Sequence, residues 1–176
     1  LFESAQRNAA PLETLAQLYG RAALAQKELG ASTDELLNFT EKVAVALRVS
    51  GKSAEESRGA LIQLSQAIGA GIVRAEEFNA ILEGALPIAQ AAAAGLDEAG
   101  GSVAKLSSLI IDGKVSSEAF FRAFEAGSAI LEDKVAGAQF TVEQQFLRLA
   151  NSAINAAKEW CLPDTTNWIL RSLRAW

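Results

Sequence analysis

The chain has no histidine, no methionine and a single cysteine, Cys161, among its 176 residues. Histidine is the commonest general base and the commonest metal ligand in proteins, so its absence removes most acid–base and metal-assisted mechanisms. A lone cysteine makes no disulfide within the chain, and without a second cysteine or a histidine it offers neither a zinc site nor an activated thiol. These absences exclude the commonest catalytic and metal-binding arrangements.

Carboxylate pairs are the remaining catalytic possibility, because a glycosidase needs two of them facing each other across a cleft. The pairs Glu55/Glu56 and Glu76/Glu77 stand at predicted helix starts, where the helix dipole favours negative charge. Adjacent side chains on a helix do not face each other. No phosphate-binding loop, dinucleotide fingerprint or nucleophile elbow occurs in the sequence. The sequence therefore predicts no enzyme, no cofactor and no metal.

Basic charge and long apolar runs are also scarce. A net charge of -5 argues against a nucleic-acid partner, because phosphate binding requires a basic face. No stretch approaches about 18 consecutive apolar residues, so no transmembrane helix is predicted. The first residues lack the basic and apolar regions of a signal peptide. Because the chain begins without methionine, we expect it to be processed or to be part of something longer.

Half of the residues are hydrophobic, and a high alanine content with only 7% aromatics favours helices. Apolar residues recur with helical spacing in seven segments, and no segment alternates with period two. The first segment runs from residue 12 to Gly30, the fourth begins near Ala75 and is broken or kinked by Pro87, and the sixth covers about 117–135. Capping-box pairs mark three helix starts, namely Ser32 with Glu35, Ser53 with Glu56 and Thr141 with Gln144. The predicted fold is all-α, a compact bundle of about seven short helices.

One segment of the sequence occurs twice. Residues 64–83, LSQAIGAGIVRAEEFNAILE, return 42 positions later as residues 106–125, LSSLIIDGKVSSEAFFRAFE. In each copy an apolar helix ends at a glycine, Gly71 or Gly113, which can take the left-handed conformation that a helix end requires. The alternative is that two ordinary helical hairpins look alike by chance.

A second helix follows the glycine in each copy. The valine before that helix and the phenylalanine one turn inside it have the spacing of a hydrophobic staple, and a glutamate in the first turn suits the helix dipole. The sequence therefore predicts a duplicated helix–Gly–helix hairpin. Its architectural positions, with the proline that follows the first copy, are Gly71, Val73, Glu76, Phe78, Pro87, Gly113, Val115, Glu118 and Phe120.

The last residues, 160–176, differ from the rest, because they hold all three tryptophans and the only cysteine. A short helix there would place Ile169, Leu173 and Trp176 on one side and Arg171 and Arg174 roughly opposite. A basic, tryptophan-bearing amphipathic end predicts contact with a membrane surface or a partner. The alternative is a terminal helix that docks its aromatic side chains on the bundle. We therefore divide the chain into a helical domain, 1–159, and an atypical tail, 160–176.

Residues 47–90 and two later blocks carry the motifs of a known family. The first reads SGKSAEESRGALIQLSQA, then Gly71, then EEFN and Pro87; the others are IDGKVSSE at 111–118 and TVEQQFLRLANS at 141–152. In combination they resemble the tape-measure domain of long-tailed bacteriophages and prophages, over about residues 12–157. The tail from about Trp160 departs from the continuation that this family usually has.

The resemblance implies a structural module, 1–159, that acts in tail assembly and tail-length determination. A tape measure spans the tail tube as an extended helix that rises about 1.5 Å per residue, so a ruler needs many hundreds of residues. A chain of this length, interrupted by glycines, would be a compact module attached to the ruler. The implied partners are tail-tube, tail-tip or assembly-chaperone proteins, in the bacterial cytoplasm during assembly and in the virion tail afterwards. The alternatives are a helical adaptor, a membrane-interacting module that uses the tail, and a peptidoglycan hydrolase.

Overall fold

The computed structural model describes residues 1–137 and 140–161, and within them every regular element is a helix. The helices, in chain order, are α1 (Phe2–Asn8), α2 (Leu12–Leu24), α3 (Thr33–Ser50), α4 (Ala54–Gly69), α5 (Ala75–Gly84), α6 (Leu86–Gly95), α7 (Val103–Ile111), α8 (Ser117–Gly127), α9 (Ala129–Gly137) and α10 (Val142–Cys161). The predicted all-α fold is confirmed.

The described residues form ten helices, where the sequence predicted about seven. Helix α1 was not predicted. The predicted fourth helix is two helices, α5 and α6, because Pro87 stands within the first two positions of α6, where its missing N–H removes no intrahelical bond. The predicted sixth helix is also two, α8 and α9, separated at Ser128, whose hydroxyl donates to the carbonyl oxygen of Glu125 at 2.7 Å.

The first predicted helix ends at Leu24 rather than at Gly30. Residues 25–30 form tight turns, and Gly30 closes them with a φ of 58°. The carbonyl oxygen of Gly30 accepts a hydrogen bond from Nη2 of Arg122 on α8, at 2.6 Å. This connection is therefore held by a contact with a distant part of the chain, which local helical periodicity does not encode.

The three predicted capping boxes lie at helix starts. Ser32 with Glu35 and Ser53 with Glu56 exchange side-chain and backbone hydrogen bonds at the beginnings of α3 and α4. At the start of α10, the hydroxyl of Thr141 accepts from the N–H of Gln144 at 3.2 Å, and the side chain of Gln144 accepts from the N–H of Thr141 at 3.1 Å. Each box satisfies backbone donors that the first helical turn leaves unpaired.

Helix α6 lies at the centre of the domain, with most of its side chains buried, so it is apolar on nearly every side. Helix α8 packs against it, and a cluster of three buried phenylalanines joins α8 to α3. The ring of Phe39 lies 4.9 Å from that of Phe121 and 5.3 Å from that of Phe124, measured between ring centroids. These offset and edge-to-face pairs are the arrangements that aromatic rings prefer.

The crossing of α6 and α8 brings the two backbones into direct contact. A Cβ atom built on Gly95 would overlap the carbonyl oxygen of Ala123 and lie 2.5 Å from the nitrogen of Gly127. A Cβ built on Gly127 would overlap the carbonyl oxygen of Ala91 and lie 2.6 Å from the nitrogen of Gly95. The contact is reciprocal, so neither glycine can carry a side chain unless the helices separate.

The helices of the predicted duplicated hairpin pack differently in the two copies. Helices α4 and α5 pack along each other, but α7 packs against α5 and α6 rather than along α8. Helix α8 packs chiefly on α6 and also touches α4. The helices of each copy thus pack on the helices of the other, and the two copies interlock.

Candidate interaction surfaces

The two predicted corners meet each other through backbone hydrogen bonds. The N–H of Val73 donates to the carbonyl oxygen of Val115 at 3.1 Å, and the N–H of Ser117 donates to the carbonyl oxygen of Gly71, also at 3.1 Å. Residues Ile72 and Ser116 form an isolated antiparallel bridge at the same place. The corners are therefore joined by a minimal two-stranded pairing.

The glycines and phenylalanines of the two copies occupy matching places. Gly71 has a φ of 81° and Gly113 a φ of 68°, both in the region that favours glycine. The rings of Phe78 and Phe120 are buried and pack edge to face, with centroids 6.3 Å apart and planes at 81°. The phenylalanine of each copy thus contacts the phenylalanine of the other.

The remaining predicted positions lie near these corners. Val73 and Val115 are buried, and Pro87 is buried at the start of α6. Glu76 is exposed in the first turn of α5, but the carboxylate that accepts from the N–H of Arg74 is that of the neighbouring, buried Glu77, at 3.0 Å. The sequence pattern did not distinguish these two glutamates.

Glu118 is exposed in the first turn of α8 and lies next to the connection at Gly30. One turn later, Nη1 of Arg122 lies 2.5 Å from Oε1 of Glu35 at the start of α3. The pKa of Glu35 is lowered to about 2, first by the N–H of Ser32, which donates to its carboxylate, and then by the Arg122 guanidinium. The ion pair and the capping box thus hold α8 against the start of α3.

A groove follows the outer side of α2. Near the corners it forms a cavity of about 530 Å³ between α2, the end of α4 and the start of α8. It continues toward the middle of α2 as a second cavity of about 550 Å³, shared with α4. Leu24 borders both cavities and is 84% exposed. Leu24 and the exposed Ile62 together give the groove an apolar patch, which makes it a candidate contact surface.

Helix α10 docks on the rest of the domain through polar side chains. Nδ2 of the buried Asn151 donates to the carbonyl oxygen of Ala10 at 2.8 Å. The buried Gln144 reaches the carbonyl oxygen of Arg48 at 3.5 Å. The Asn151 amide thus pairs a buried backbone acceptor, whereas the carbonyl oxygen of Arg48 also accepts from the N–H of Gly51.

Three apolar side chains of α10 point away from the domain, whereas Leu147 is half-buried and lines a small cavity with Leu47. Val142 is 73% exposed, Phe146 is 67% exposed and Leu149 is 66% exposed. This arrangement reverses the usual one, in which a surface helix buries its apolar stripe and exposes its polar face. We call Val142, Phe146, Leu149 and the exposed Ala153 the outer stripe of α10.

A sequence model of the family described as "Tape measure protein" matches residues 1–160. The chain belongs to the tape measure protein family. No curated protein and no solved structure matches it. Tape measure proteins are structural components of phage tails, so the resemblance predicted from the sequence motifs is confirmed. The family is a structural one, which supports no enzymatic role.

Other features of this tape measure domain bear on alternative functions. Within residues 1–137 and 140–161, no helix is long and apolar enough to cross a membrane, and no group of three or more acidic or cysteine side chains is placed to hold a metal ion. The predicted amphipathic tail falls at residues 160–176. Residues 162–176 and the side chain of Trp160 lie outside the described part of the chain.

Sequence reasoning missed the orientation of α10 in this tape measure domain. Helical periodicity favours burial of the apolar residues of this helix, but Phe146 and Ile154 are exposed and Leu147 is only half-buried. The available signal was the 4–3–4 spacing of the outer stripe, with Gln144 and Asn151 on the opposite side.

Proposed function

We propose that this chain is a compact helical module of a phage tail tape-measure protein and acts in tail assembly and tail-length determination through protein–protein contacts. The family match over residues 1–160 carries this proposal. The proposed partners are tail-tube, tail-tip or assembly-chaperone proteins. The proposed place of action is the bacterial cytoplasm during assembly and the virion tail afterwards.

The helices are too short for the described residues to act as a ruler. The longest, α10, has 20 residues and spans about 30 Å. The interlocked corners and the α6–α8 crossing hold the other helices in a compact arrangement. This supports a module that positions or recruits other tail proteins, while length is set by an extended helix elsewhere in the tape measure.

The groove along α2 is the surface that we propose for such a partner. It is lined by polar side chains such as Arg21 and Gln66 and by two exposed apolar side chains, Leu24 and Ile62. A partner that buries Leu24 would remove a fully exposed leucine from water, which favours association by about 1.5–3 kcal/mol.

An in-frame deletion of residues 12–137 in the phage or prophage that encodes this chain tests the proposal. The 126 deleted residues would correspond to about 190 Å of helix at about 1.5 Å per residue. For a compact module, we expect few or malformed tails in negative-stain electron micrographs, with no population shortened by that length. Normal tails shorter by about 190 Å would contradict the proposal, because the segment would then act as part of the ruler.

A single substitution separates the contact surface from the fold. Leu24→Glu changes only an exposed side chain, so the purified chain should keep its helical circular dichroism and its unfolding free energy. We expect the same substitution in the phage to reduce the yield of complete tails. Tails formed at the normal yield would exclude the α2 groove as the partner surface.

A further inference from the structure

The outer stripe of α10 lies on a side of the helix that carries no charge. Each residue is rotated by about 100° around the helix axis from the one before it. Viewed along that axis, the four members of the stripe fall within about 60° of one another, on the side opposite Asn151. The charged positions of the helix, Glu143, Arg148, Lys158 and Glu159, fall at or beyond the edges of this apolar side. Between them stand small or uncharged residues, Gln145, Ala150, Ser152, Ala156 and Ala157.

The spacing within the stripe is that of a helix–helix seam. Val142, Phe146, Leu149 and Ala153 are separated by four, three and four residues, and the sequence continues the register at Ala156 and Trp160. Apolar residues that alternate at spacings of three and four keep one side of a helix facing a partner helix along its length. The occupant that fits this face is therefore another helix.

We propose that the outer stripe pairs with the outer stripe of a second copy of this chain, with the two α10 helices antiparallel. The stripe has large side chains at Val142, Phe146 and Leu149 and a small one at Ala153, and its register continues at the small Ala156. Antiparallel pairing centred between Leu149 and Ala153 places Leu149 opposite the partner copy's alanine at 153, and Phe146 opposite the alanine at 156. Phe146 and Leu149 then face small residues, and the same register places Val142 opposite position 160 of the second copy.

Charge and position also favour self-association. The seam carries no charge, so two identical faces bring no like charges together, as a two-fold interface requires. Within the part of the chain that the structure describes, the domain lies on the Asn151 side of α10 and leaves the outer stripe exposed. A membrane fits less well, because the polar side of α10 is already occupied by α1, and the chain carries a net charge of -5. This inference does not depend on the proposed function.

Sedimentation equilibrium on the full chain tests the pairing. We expect a mass near twice the 18.6 kDa of the single chain for the unchanged protein. Phe146→Glu should raise the dissociation constant at least about a hundredfold, because it places a carboxylate in the seam. Ile111→Glu is the matched control, since Ile111 is 68% exposed against 67% for Phe146 and lies at the end of α7. Its dimer should be unchanged.

The orientation is tested by cysteine cross-linking in a Cys161→Ser background. A mixture of chains carrying Leu149→Cys and Ala153→Cys should form the mixed disulfide at least tenfold faster than either variant links to itself. Faster linkage of Leu149→Cys to itself would indicate parallel helices and overturn the proposed geometry.

Three results would overturn the pairing itself. One is that the full chain is monomeric at about 100 μM. Another is that Ile111→Glu weakens the dimer as much as Phe146→Glu does. The third is a chain that dimerises only after truncation at Cys161, because residues 162–176 would then be the occupant of the stripe. Circular dichroism of each variant at the same concentration verifies that the helices remain folded.

Discussion

A methyl group added at the crossing of α6 and α8 should destabilise the domain more than its size suggests. In Gly95→Ala the new Cβ would meet the carbonyl oxygen and carbonyl carbon of Ala123 and the nitrogen of Gly127. All of these are backbone atoms of α8, so no side-chain rotation can relieve the overlap. The two helices must therefore move apart where they are closest. One of them, α6, is the most buried helix of the fold.

The size of the effect follows from two opposing terms. Overpacking in a rigid core costs about 1–3 kcal/mol, and a backbone-to-backbone clash belongs at the upper end of that range. Replacing glycine by alanine in a helix returns at most about 1 kcal/mol, and less at a terminal position such as Gly95. We expect a net loss of about 2–3 kcal/mol in unfolding free energy, which for a chain of this length lowers the melting temperature by about 4–12 °C.

Two exposed glycines in helix interiors provide the control. Gly20 in α2 and Gly59 in α4 have no atom within 4 Å of an added Cβ. Gly20→Ala and Gly59→Ala should therefore each stabilise the domain by about 0.5–1 kcal/mol through helix propensity alone. Urea unfolding followed by circular dichroism measures all three variants. If Gly95→Ala falls within about 1 kcal/mol of the unchanged chain, the close crossing does not exist in solution.

Two further substitutions test the corners and the α3–α8 link. Phe120→Ala removes a fully buried ring that packs on Phe78, and it should cost about 3–5 kcal/mol in denaturant unfolding, whereas a loss under about 1 kcal/mol would contradict the predicted staple. The pKa of Glu35 falls from 4.5 to about 2 on folding, so this carboxylate stabilises the fold above pH 4.5 and loses that effect as the pH drops toward 2. Glu35→Gln should therefore flatten the pH dependence of the unfolding free energy across this window. Urea melts at successive pH values measure that dependence. If its slope is unchanged in the variant, the role assigned to the contacts of Glu35 with Ser32 and Arg122 is excluded.

Local signals in the sequence predicted most helix starts. The capping boxes at Ser32 and Ser53 depend on residues three positions apart, so their chemistry is legible in a short window. The same holds for the positive φ at Gly71 and Gly113, where the chain must leave one helix and enter the next. The family motifs lie in these same segments, which is why the fold class and the family were both predictable.

The sequence did not predict features that depend on distant contacts. Nothing near Gly95 in the sequence indicates that its missing side chain accommodates Gly127. The connection that follows α2 is held by Arg122, which lies 92 positions from Gly30. The face that α10 buries depends on the backbone acceptor of Ala10, 141 positions away, and helical periodicity alone favoured its apolar residues.

The interlocked corners determine what can be inherited as a unit. Val73 and Ser117 each donate a backbone hydrogen bond to the opposite copy, and Phe78 and Phe120 cover each other. A single copy would leave backbone groups unpaired and a phenylalanine in water, both of which oppose folding. The two copies, within residues 54–127, must therefore be lost or exchanged between phages together, and Phe121 and Phe124 of the second copy also need Phe39 of α3. Recombination within that span should yield chains that fail to fold, and viable exchanges should fall outside it.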